Sequence, residues 1–157
     1  MGNDLHAVTW SDIQIMTKDL AALVMADGPP QAIVGITRGG LIPAVMIAHV
    51  LGVRDLRTLT ITHTESDALN AAKTPEPLVA HPGSLGELVG QDVLLVDDIA
   101  GTGDTLTAAR TLLAERNPAR VRTGVLWLNV ANWQFANPEP TYVGERDRGW
   151  VVFPWET

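Results

Sequence analysis

The chain has 157 residues, 46% of them hydrophobic and 18% charged, with a formal net charge of −7. This length and composition are typical of one globular domain with a core of ordinary size, which would span residues 1–157. The acidic balance excludes nucleic acid as the main partner, because affinity for a phosphate backbone depends on clustered Lys and Arg.

Several classes of site are excluded by composition. The chain has no cysteine, so it offers neither a disulfide framework nor a thiolate nucleophile. Its four histidines lack zinc-ligand spacing, so any bound metal must be held by oxygen ligands. No apolar run approaches the roughly twenty residues of a membrane span, and residues 1–6 lack the features of a signal peptide. We expect a cytoplasmic protein with no membrane partner.

The first predicted helix follows Ser11, which forms a capping-box pattern with Gln14. Apolar residues then recur at helical spacing as far as Val24, and the Asp-Gly-Pro-Pro sequence at residues 27–30 ends the helix. We interpret this helix as a packing element.

A short strand, a glycine turn and a second helix come next. Residues 32–36 are fully apolar, and a helix that tolerates Pro43 in its first turn is predicted over residues 41–51. Between the two lies the turn Thr37-Arg38-Gly39-Gly40. A glycine turn at a helix amino terminus is a candidate anion site, and this one carries an arginine.

Residues 58–62 alternate in the manner of a half-buried strand. Residues 63–84 contain prolines, acids and little periodicity, so we predict a long mobile loop, and such loops are usually functional or disordered. Lys73 is the only lysine or arginine in this loop. It fits two interpretations equally well, a contact with a ligand phosphate or a solvated surface charge.

The most informative stretch joins a buried strand over residues 92–97 to a helix over about residues 106–116. The strand ends in Asp97 and Asp98, and the following Gly/Thr loop opens the helix, which is the layout of a phosphate site. Two adjacent carboxylates are costly to bring together unless hydroxyls or a cation satisfy them. They indicate a sugar with vicinal hydroxyls, a Mg²⁺ ion, or both.

Four other interpretations of this stretch are weaker. Receiver domains also open with a strand ending in Val-Asp-Asp, but that strand lies at the chain start. The spacing matches neither a Walker loop nor a dinucleotide fingerprint. An ordinary strand-turn-helix explains the glycines but not the acid pair.

Residues 121–128 form another buried strand, and residues 129–149 lose their periodicity. The chain then closes with Trp150-Val151-Val152-Phe153-Pro154-Trp155-Glu156. Taken alone, such an aromatic segment could simply pack against the body of the domain.

The stretch from Val93 to Thr105 resembles the signature of type I phosphoribosyltransferases, which bind phosphoribosyl pyrophosphate. The resemblance implies a three-layer α/β fold with a mostly parallel central sheet. It also implies that Asp97 and Asp98 are the catalytic acids, which hold the ribose hydroxyls and the metal shell, with Asp98 as the metal ligand. The residues that would wrap the 5′-phosphate are Ala100, Gly101, Thr102, Gly103, Asp104 and Thr105.

The glycine turn at residues 37–41 resembles the pyrophosphate loop of 6-oxopurine enzymes, particularly the short xanthine-guanine type. The resemblance implies that residues 63–84 are a catalytic lid and that a non-proline cis peptide falls at Arg38–Gly39. The residues that would contact pyrophosphate are Arg38, Gly39, Gly40 and Lys73.

The closing segment resembles the hood of the same enzymes, in which an aromatic residue stacks on the purine. Trp150 takes that position, and the backbone of Val151 would read the edge of the base. We therefore predict a core over about residues 10–128 and a small hood built from residues 1–9 and 129–157.

Two positions depart from the 6-oxopurine pattern. Gly101 stands where many of these enzymes have an aspartate that accepts the proton of purine N7, and Asn129 stands where they usually have a base-contacting lysine. Glycine cannot accept a proton, and a neutral amide can either donate or accept. The preference for a 6-oxopurine is therefore open.

The resemblance implies a Mg²⁺-dependent enzyme of purine salvage that transfers phosphoribosyl to guanine, xanthine or hypoxanthine and releases pyrophosphate. It also implies a homo-oligomer, either a dimer or a tetramer. The alternative is a catalytically weak regulatory protein that senses phosphoribosyl pyrophosphate or a nucleotide, which the departures at Gly101 and Asn129 favour.

Overall fold

A computed structural model of the chain describes residues 5–64, 66 and 71–157. Its helices are α1 Trp10–Ala26, α2 Leu41–Leu51 and α3 Asp104–Ala114. Its strands are β1 Leu5–Ala7, β2 Ala32–Thr37, β3 Leu56–Thr64, β4 Lys73–Ala80, β5 Asp92–Ala100, β6 Arg120–Asn129, β7 Tyr142–Asp147 and β8 Trp150–Val152. Short 3-10 turns cover Pro82–Leu85 and Pro154–Glu156.

Six strands form the central sheet in the order β4-β3-β2-β5-β6-β7. Neighbouring strands run parallel except β4, which is antiparallel to β3. Helices α1 and α2 cover one face and α3 covers the other, so an apolar core lies on each side. A strand that is buried on both faces has a nearly continuous run of apolar residues. For this reason β2, β5 and β6 could be predicted from the sequence. The predicted three-layer α/β fold with a mostly parallel sheet is confirmed.

The cap of α1 differs from the prediction. Thr9, not Ser11, caps the helix: the Asp12 N–H donates to Thr9 Oγ1 at 3.1 Å, and the Thr9 N–H donates to Asp12 Oδ2 at 2.8 Å. The Thr9–Asp12 pair has the same spacing as the predicted Ser11–Gln14 pair, and its carboxylate is the stronger acceptor.

The predicted loop over residues 63–84 is partly regular structure, and this prediction was wrong. Strand β4 pairs with β3, and the register shifts between Thr62 and Thr64. Pro75 and Pro77 lie within β4, which is tolerated because β4 is an edge strand and its outer side donates no ladder hydrogen bond. The parts of the predicted loop at residues 65 and 67–70 lie outside the described residues.

The two ends of the chain meet in a small parallel sheet, β1 with β8, in which Leu5 pairs with Trp150. The stacked rings of Phe153 and Trp155, whose centroids are 4.7 Å apart, lie just beyond β8. Strand β7 lies inside the range predicted as hood, yet it is the edge strand of the central sheet. Within the described part of the chain, no helix has the length and apolar character needed to cross a membrane.

Candidate functional site

The carboxyl ends of β2, β3 and β5 surround a cavity of about 260 Å³. The predicted site residues in its wall are Arg38, Gly39, Lys73, Asp97, Asp98, Ala100, Gly101, Thr102, Gly103 and Thr105. The predicted site residues outside its wall are Gly40, Asp104, Asn129, Trp150 and Val151. The structure thus brings the two glycine loops and the acid pair together, but not the residues expected to contact the base.

The acid pair lies at the end of β5, half-buried. The Asp98 N–H donates to Asp97 Oδ1 at 2.9 Å, and the Ile99 N–H donates to Asp98 Oδ1 at 2.8 Å. Burial, and then the charge of Asp98, raise the pKa of Asp97 well above its usual value, and burial also raises the pKa of Asp98. No lysine or arginine of the described chain forms an ion pair with either carboxylate. The pair is therefore suited to a ligand that supplies hydroxyl donors or positive charge.

The loop after β2 packs directly against the acid pair. A Cβ at Gly39 would overlap the Asp98 carboxylate, so any larger residue there would displace that side chain. A Cβ at Gly40 would lie 2.6 Å from the Ile36 carbonyl oxygen, so this position requires glycine. The Gly40 N–H donates to that same oxygen at 2.9 Å. It is therefore already engaged within the fold, which agrees with the position of Gly40 outside the cavity wall.

The non-proline cis peptide lies at Thr37–Arg38, one bond before the Arg38–Gly39 position that the resemblance implied. Both bonds belong to the same turn, and the residue types of the motif do not distinguish them.

Residues 100–105, at the junction of β5 and α3, are the segment expected from the sequence to bind a phosphate, and we call it the phosphate loop. Gly103 has a φ of +94°, and a Cβ there would lie 2.7 Å from the Trp133 ring, so only glycine fits. Gly101, in contrast, faces open space, and a Cβ atom at this position would have no other atom within 4 Å. The two glycines of the loop therefore differ: Gly103 is required by packing and Gly101 is not.

The β3–β4 hairpin reaches the phosphate loop with two side chains. Lys73 Nζ lies 3.4 Å from Thr102 Oγ1, and His63 Nε2 lies 3.3 Å from Asp104 Oδ2. The His63 Nδ1 faces Thr74 Oγ1 at 3.3 Å, so both ring nitrogens have a partner. Lys73 thus lies in the cavity wall beside Thr102, and its contact with a ligand phosphate stays a prediction.

The residues expected to contact the base, Asn129, Trp150 and Val151, do not line this cavity. The Asn129 side chain is buried, and its oxygen accepts hydrogen bonds from the N–H groups of Ala131 and Asn132 at 3.0 and 3.3 Å. Val151 is buried and Trp150 is half-buried within the β1–β8 sheet. Asn129 therefore holds the turn after β6 and does not present its amide to the cavity.

The structure has no cluster of three or more His, Cys, Asp or Glu side chains that could hold a metal ion, as far as residues 5–64, 66 and 71–157 are concerned. Two adjacent carboxylates still match a Mg²⁺ site of the kind in which one or two carboxylates share the ion with water and substrate oxygens. The donor set of Asp97 and Asp98, with raised pKa values and no Lys or Arg ion-pair partner among the described residues, fits that kind of site.

Comparison with known proteins identifies the family. Residues 10–157 match the family described as the phosphoribosyl transferase domain. The chain belongs to this family. The xanthine-guanine phosphoribosyltransferase of Gluconobacter oxydans (strain 621H) is 33% identical over 152 residues, which cover 96% of this chain and 83% of the relative. The xanthine-guanine phosphoribosyltransferase of Cereibacter sphaeroides (strain ATCC 17025 / ATH 2.4.3) is 29% identical over 162 residues, with 95% and 85% coverage.

Solved structures agree with this assignment. The crystal structure of the purine phosphoribosyltransferase from Pyrococcus horikoshii Ot3 superposes with a TM-score of 0.83 at 28% sequence identity. The superposition covers 98% of this chain and 95% of that chain. The resemblance to type I phosphoribosyltransferases that the sequence motifs indicated is therefore confirmed.

Three residues of this phosphoribosyltransferase site were missed in the sequence: His63, Trp133 and Asn137. His63 had a usable signal, because it follows the alternating residues of β3, and the carboxyl ends of parallel strands form the ligand side of the sheet. Trp133 and Asn137 lie in an aperiodic segment, where the Asn-Pro sequence at residues 137–138 indicates only a turn.

Proposed function

We propose that this phosphoribosyltransferase transfers the phosphoribosyl group of phosphoribosyl pyrophosphate to a purine base, with a 6-oxopurine such as guanine, xanthine or hypoxanthine as the favoured substrate. The observation that carries this proposal is the single cavity in which Asp97 and Asp98 face two glycine loops. Similarity to two xanthine-guanine phosphoribosyltransferases supports the choice of base. The reaction belongs to purine salvage, and we expect it in the cytoplasm.

In the proposed reaction a purine nitrogen forms a bond to C1 of the ribose while the bond from C1 to pyrophosphate breaks. Positive charge develops at C1 and the ring oxygen, and negative charge develops on pyrophosphate. In this proposal Asp97 and Asp98 hold the ribose hydroxyls, and negative carboxylates close to the ribose would stabilise its developing positive charge. Holding the two reactants in line supplies much of the rate acceleration.

In this proposal the pyrophosphate leaving group is bound by the turn after β2 and by the β3–β4 hairpin. Arg38 and Gly39 line the cavity together with Asp98, and Lys73 lines it near Thr102. The chain has only eleven lysines and arginines, so a few well-placed cations and backbone N–H groups must carry the phosphate charge. Gly40 does not contribute its N–H, which is bonded to Ile36.

We propose Mg²⁺ as the cofactor, with Asp98 as the protein ligand and Asp97 beside it. When bound, the ion would neutralise charge on the pyrophosphate oxygens. Neutralisation also relieves the repulsion that, with burial, raises the pKa of Asp97. The chain itself keeps the two carboxylates adjacent and excludes water from their buried sides.

The site of the base departs most from the pattern of the 6-oxopurine enzymes. Gly101 supplies no acceptor for the N7 proton, and the Asn129 amide is engaged with the turn after β6. Trp150 and Val151, next to β1, are the remaining candidates for base contacts. We expect a homo-oligomer, a dimer or tetramer, on the strength of the family resemblance.

The test is turnover. The protein is mixed with phosphoribosyl pyrophosphate, Mg²⁺ and, one at a time, hypoxanthine, guanine, xanthine, adenine or uracil, and pyrophosphate release is measured. We expect release with at least one 6-oxopurine and loss of release when the metal is removed with a chelator. The absence of release with every base would contradict the proposal.

A second candidate is a regulatory protein that binds phosphoribosyl pyrophosphate or a nucleotide with little catalysis. Gly101, together with the engagement of Asn129, favours it, because both remove groups that act on the base. Calorimetry separates the two candidates. Tight metal-dependent binding of phosphoribosyl pyrophosphate without turnover supports the regulatory role, and the absence of binding excludes both.

A further inference from the structure

The phosphate loop contains an acid in an unexpected place. Asp104 follows Gly103 directly and begins helix α3, at the helix end that attracts anions. If the loop binds a phosphate, a carboxylate pointing toward it would repel the ligand. Asp104 is outside the cavity wall although its neighbours Gly103 and Thr105 are in it. Its side chain is therefore directed elsewhere.

The Asp104 carboxylate is held on both sides by residues outside the loop. Asn137 Nδ2 donates to Asp104 Oδ1 at 2.9 Å, and His63 Nε2 lies 3.3 Å from Asp104 Oδ2. The hydrogen bond from Asn137 is the main cause that lowers the pKa of Asp104. The acid thus stays ionised and is bonded to Asn137 and to His63, a residue of the cavity wall, while Asp104 itself does not line the cavity.

Asn137 makes three side-chain contacts with this region. Besides its bond to Asp104, Nδ2 donates to the Thr102 carbonyl oxygen at 2.9 Å, and Oδ1 accepts from Thr107 Oγ1 at 3.1 Å. The Thr102 carbonyl also accepts from the Gln134 N–H at 3.1 Å. Two donors from one segment therefore fix the orientation of a single carbonyl of the phosphate loop.

That carbonyl belongs to the peptide between Thr102 and Gly103. In a trans peptide the C=O and the N–H point in opposite directions. Asn137 and Gln134 do not line the cavity, so a carbonyl held toward them turns the Gly103 N–H toward the cavity side. This N–H donates to no residue in the described part of the chain, which leaves it available to an anion.

We propose that Asn137 is a positioning residue that fixes the Thr102–Gly103 peptide so that the Gly103 N–H faces the ligand phosphate before substrate arrives. Asp104 is its partner within the loop, and this role replaces the contact with phosphate expected from the sequence. The inference rests on the proposed function, because it assumes that the loop binds the 5′-phosphate of phosphoribosyl pyrophosphate.

The deciding variant is Asn137→Asp, which keeps the shape of the side chain but replaces the donor with a carboxylate facing the Thr102 carbonyl and Asp104. We expect KM for phosphoribosyl pyrophosphate, and Kd for ribose 5-phosphate by calorimetry, to rise about tenfold or more, the size associated with losing a hydrogen bond to a charged group. KM for the base should change little. The matched control is Asn132→Asp, an exposed site in the same segment that receives the same charge change.

A reciprocal exchange tests the partnership. Adding Asp104→Asn to Asn137→Asp restores a donor and an acceptor between positions 104 and 137 with their roles reversed. We expect the double variant to recover part of the lost affinity for ribose 5-phosphate. If Asn137→Asp does not fold, Asn137→Ala, which removes the donor without adding charge, takes its place in the same measurements.

The outcomes are distinct. Unchanged affinity for ribose 5-phosphate in a folded Asn137 variant overturns the inference while leaving the proposed function intact. Equal rises in KM for both substrates together with a lowered unfolding midpoint also overturn it, because they indicate a role in folding alone. Failure of the unaltered protein to bind phosphoribosyl pyrophosphate overturns the proposed function, and the inference with it.

Discussion

The two ends of strand β5 surround their carboxylates in opposite ways. At its amino end, Asp92 accepts from Arg122 at 3.1 Å and from Arg120 at 2.6 Å. At its carboxyl end, Asp97 and Asp98 are adjacent, and no ion pair with Lys or Arg reaches them from the described residues. Within the described residues, the same strand therefore carries one acid that is paired with arginines and two adjacent acids that accept only hydrogen bonds from uncharged donors.

The interactions of Asp92 contribute to stability, whereas Asp97 and Asp98 are proposed to serve function. Arg122 is 4% exposed, and its guanidinium also donates to the Gly28 carbonyl at 2.8 Å and to the Tyr142 hydroxyl at 3.1 Å. A buried charge with this many partners costs little while they are all present and much when one is removed. An acid pair that has backbone N–H donors but no Lys or Arg partner among the described residues is instead suited to bind an external ligand. Substitutions at the two ends should consequently alter different measurements.

The largest effect is expected from Asp98→Asn at the carboxyl end of β5. Turnover should fall on the order of a thousandfold, because a charge placed to stabilise the transition state is lost. The unfolding midpoint should stay the same or rise, since the substitution removes one of two buried like charges. Pyrophosphate release and thermal unfolding measure the two effects. A large loss of stability would show that the pair is structural and would remove the contrast with Asp92.

At the amino end of β5, Arg122→Ala should lower the free energy of unfolding by about 3 kcal/mol, because Asp92 and several carbonyls lose a buried partner. Urea unfolding measures this, and at low temperature the folded variant should keep its KM values. Arg120→Ala is the matched control. Arg120 contacts the same carboxylate from an exposed position, so a much smaller loss than for Arg122→Ala is expected. Equal losses in the two variants would contradict this account.

The stability of the protein should depend on pH through the acids at the carboxyl end of β5. The pKa values of Asp97 and Asp98 are raised by folding, so the folded state binds more protons than the unfolded state above the ordinary aspartate pKa of about 4. The free energy of unfolding of the metal-free protein should therefore fall as the pH rises through the raised pKa values. Asp98→Asn should make this fall smaller. Urea unfolding at several pH values compares the slopes, and identical slopes would contradict the prediction.

The smallest effect is expected from Gly101→Asp, which adds an acid to the cavity. Position 101 has open space for a side chain and no left-handed φ, so the variant should fold normally. If an absent N7 acceptor limits the rate, kcat/KM for hypoxanthine or guanine should rise a few-fold. Gly101→Asn, the uncharged control, should give no rise. A fall with intact phosphoribosyl pyrophosphate binding would mean that the cavity is shaped around glycine and that the base is of another kind.

The sequence predicted the parts of the fold whose causes are local. Strands β2, β5 and β6 are buried on both faces and so appear as apolar runs, and the glycine loops follow them directly. Strands β4 and β7 were not predicted, because edge strands are half-exposed and carry prolines or charges that are also typical of loops.

The residues of the candidate site also fall into a group that could be predicted from the sequence and a group that could not. Motif residues contiguous with β5 could be predicted, because one strand and one loop place them. Asn137 lies 33 residues from Asp104 and His63 lies 41 residues from it, so only the folded sheet brings them to the phosphate loop. Asn129 was assigned to the base by its place in the motif, whereas its surroundings engage the amide in a turn.

The composition of the two edge strands also limits how this protein can associate. An exposed sheet edge with free N–H groups can pair with another chain and start aggregation. In β4, Pro75 and Pro77 lack an N–H, and being two residues apart they remove donors from the same side of the strand. In β7, Glu145, Arg146 and Asp147 place charges along the other edge. The central sheet is thereby protected at both sides against growth by strand addition, even though its interior strands are strongly apolar.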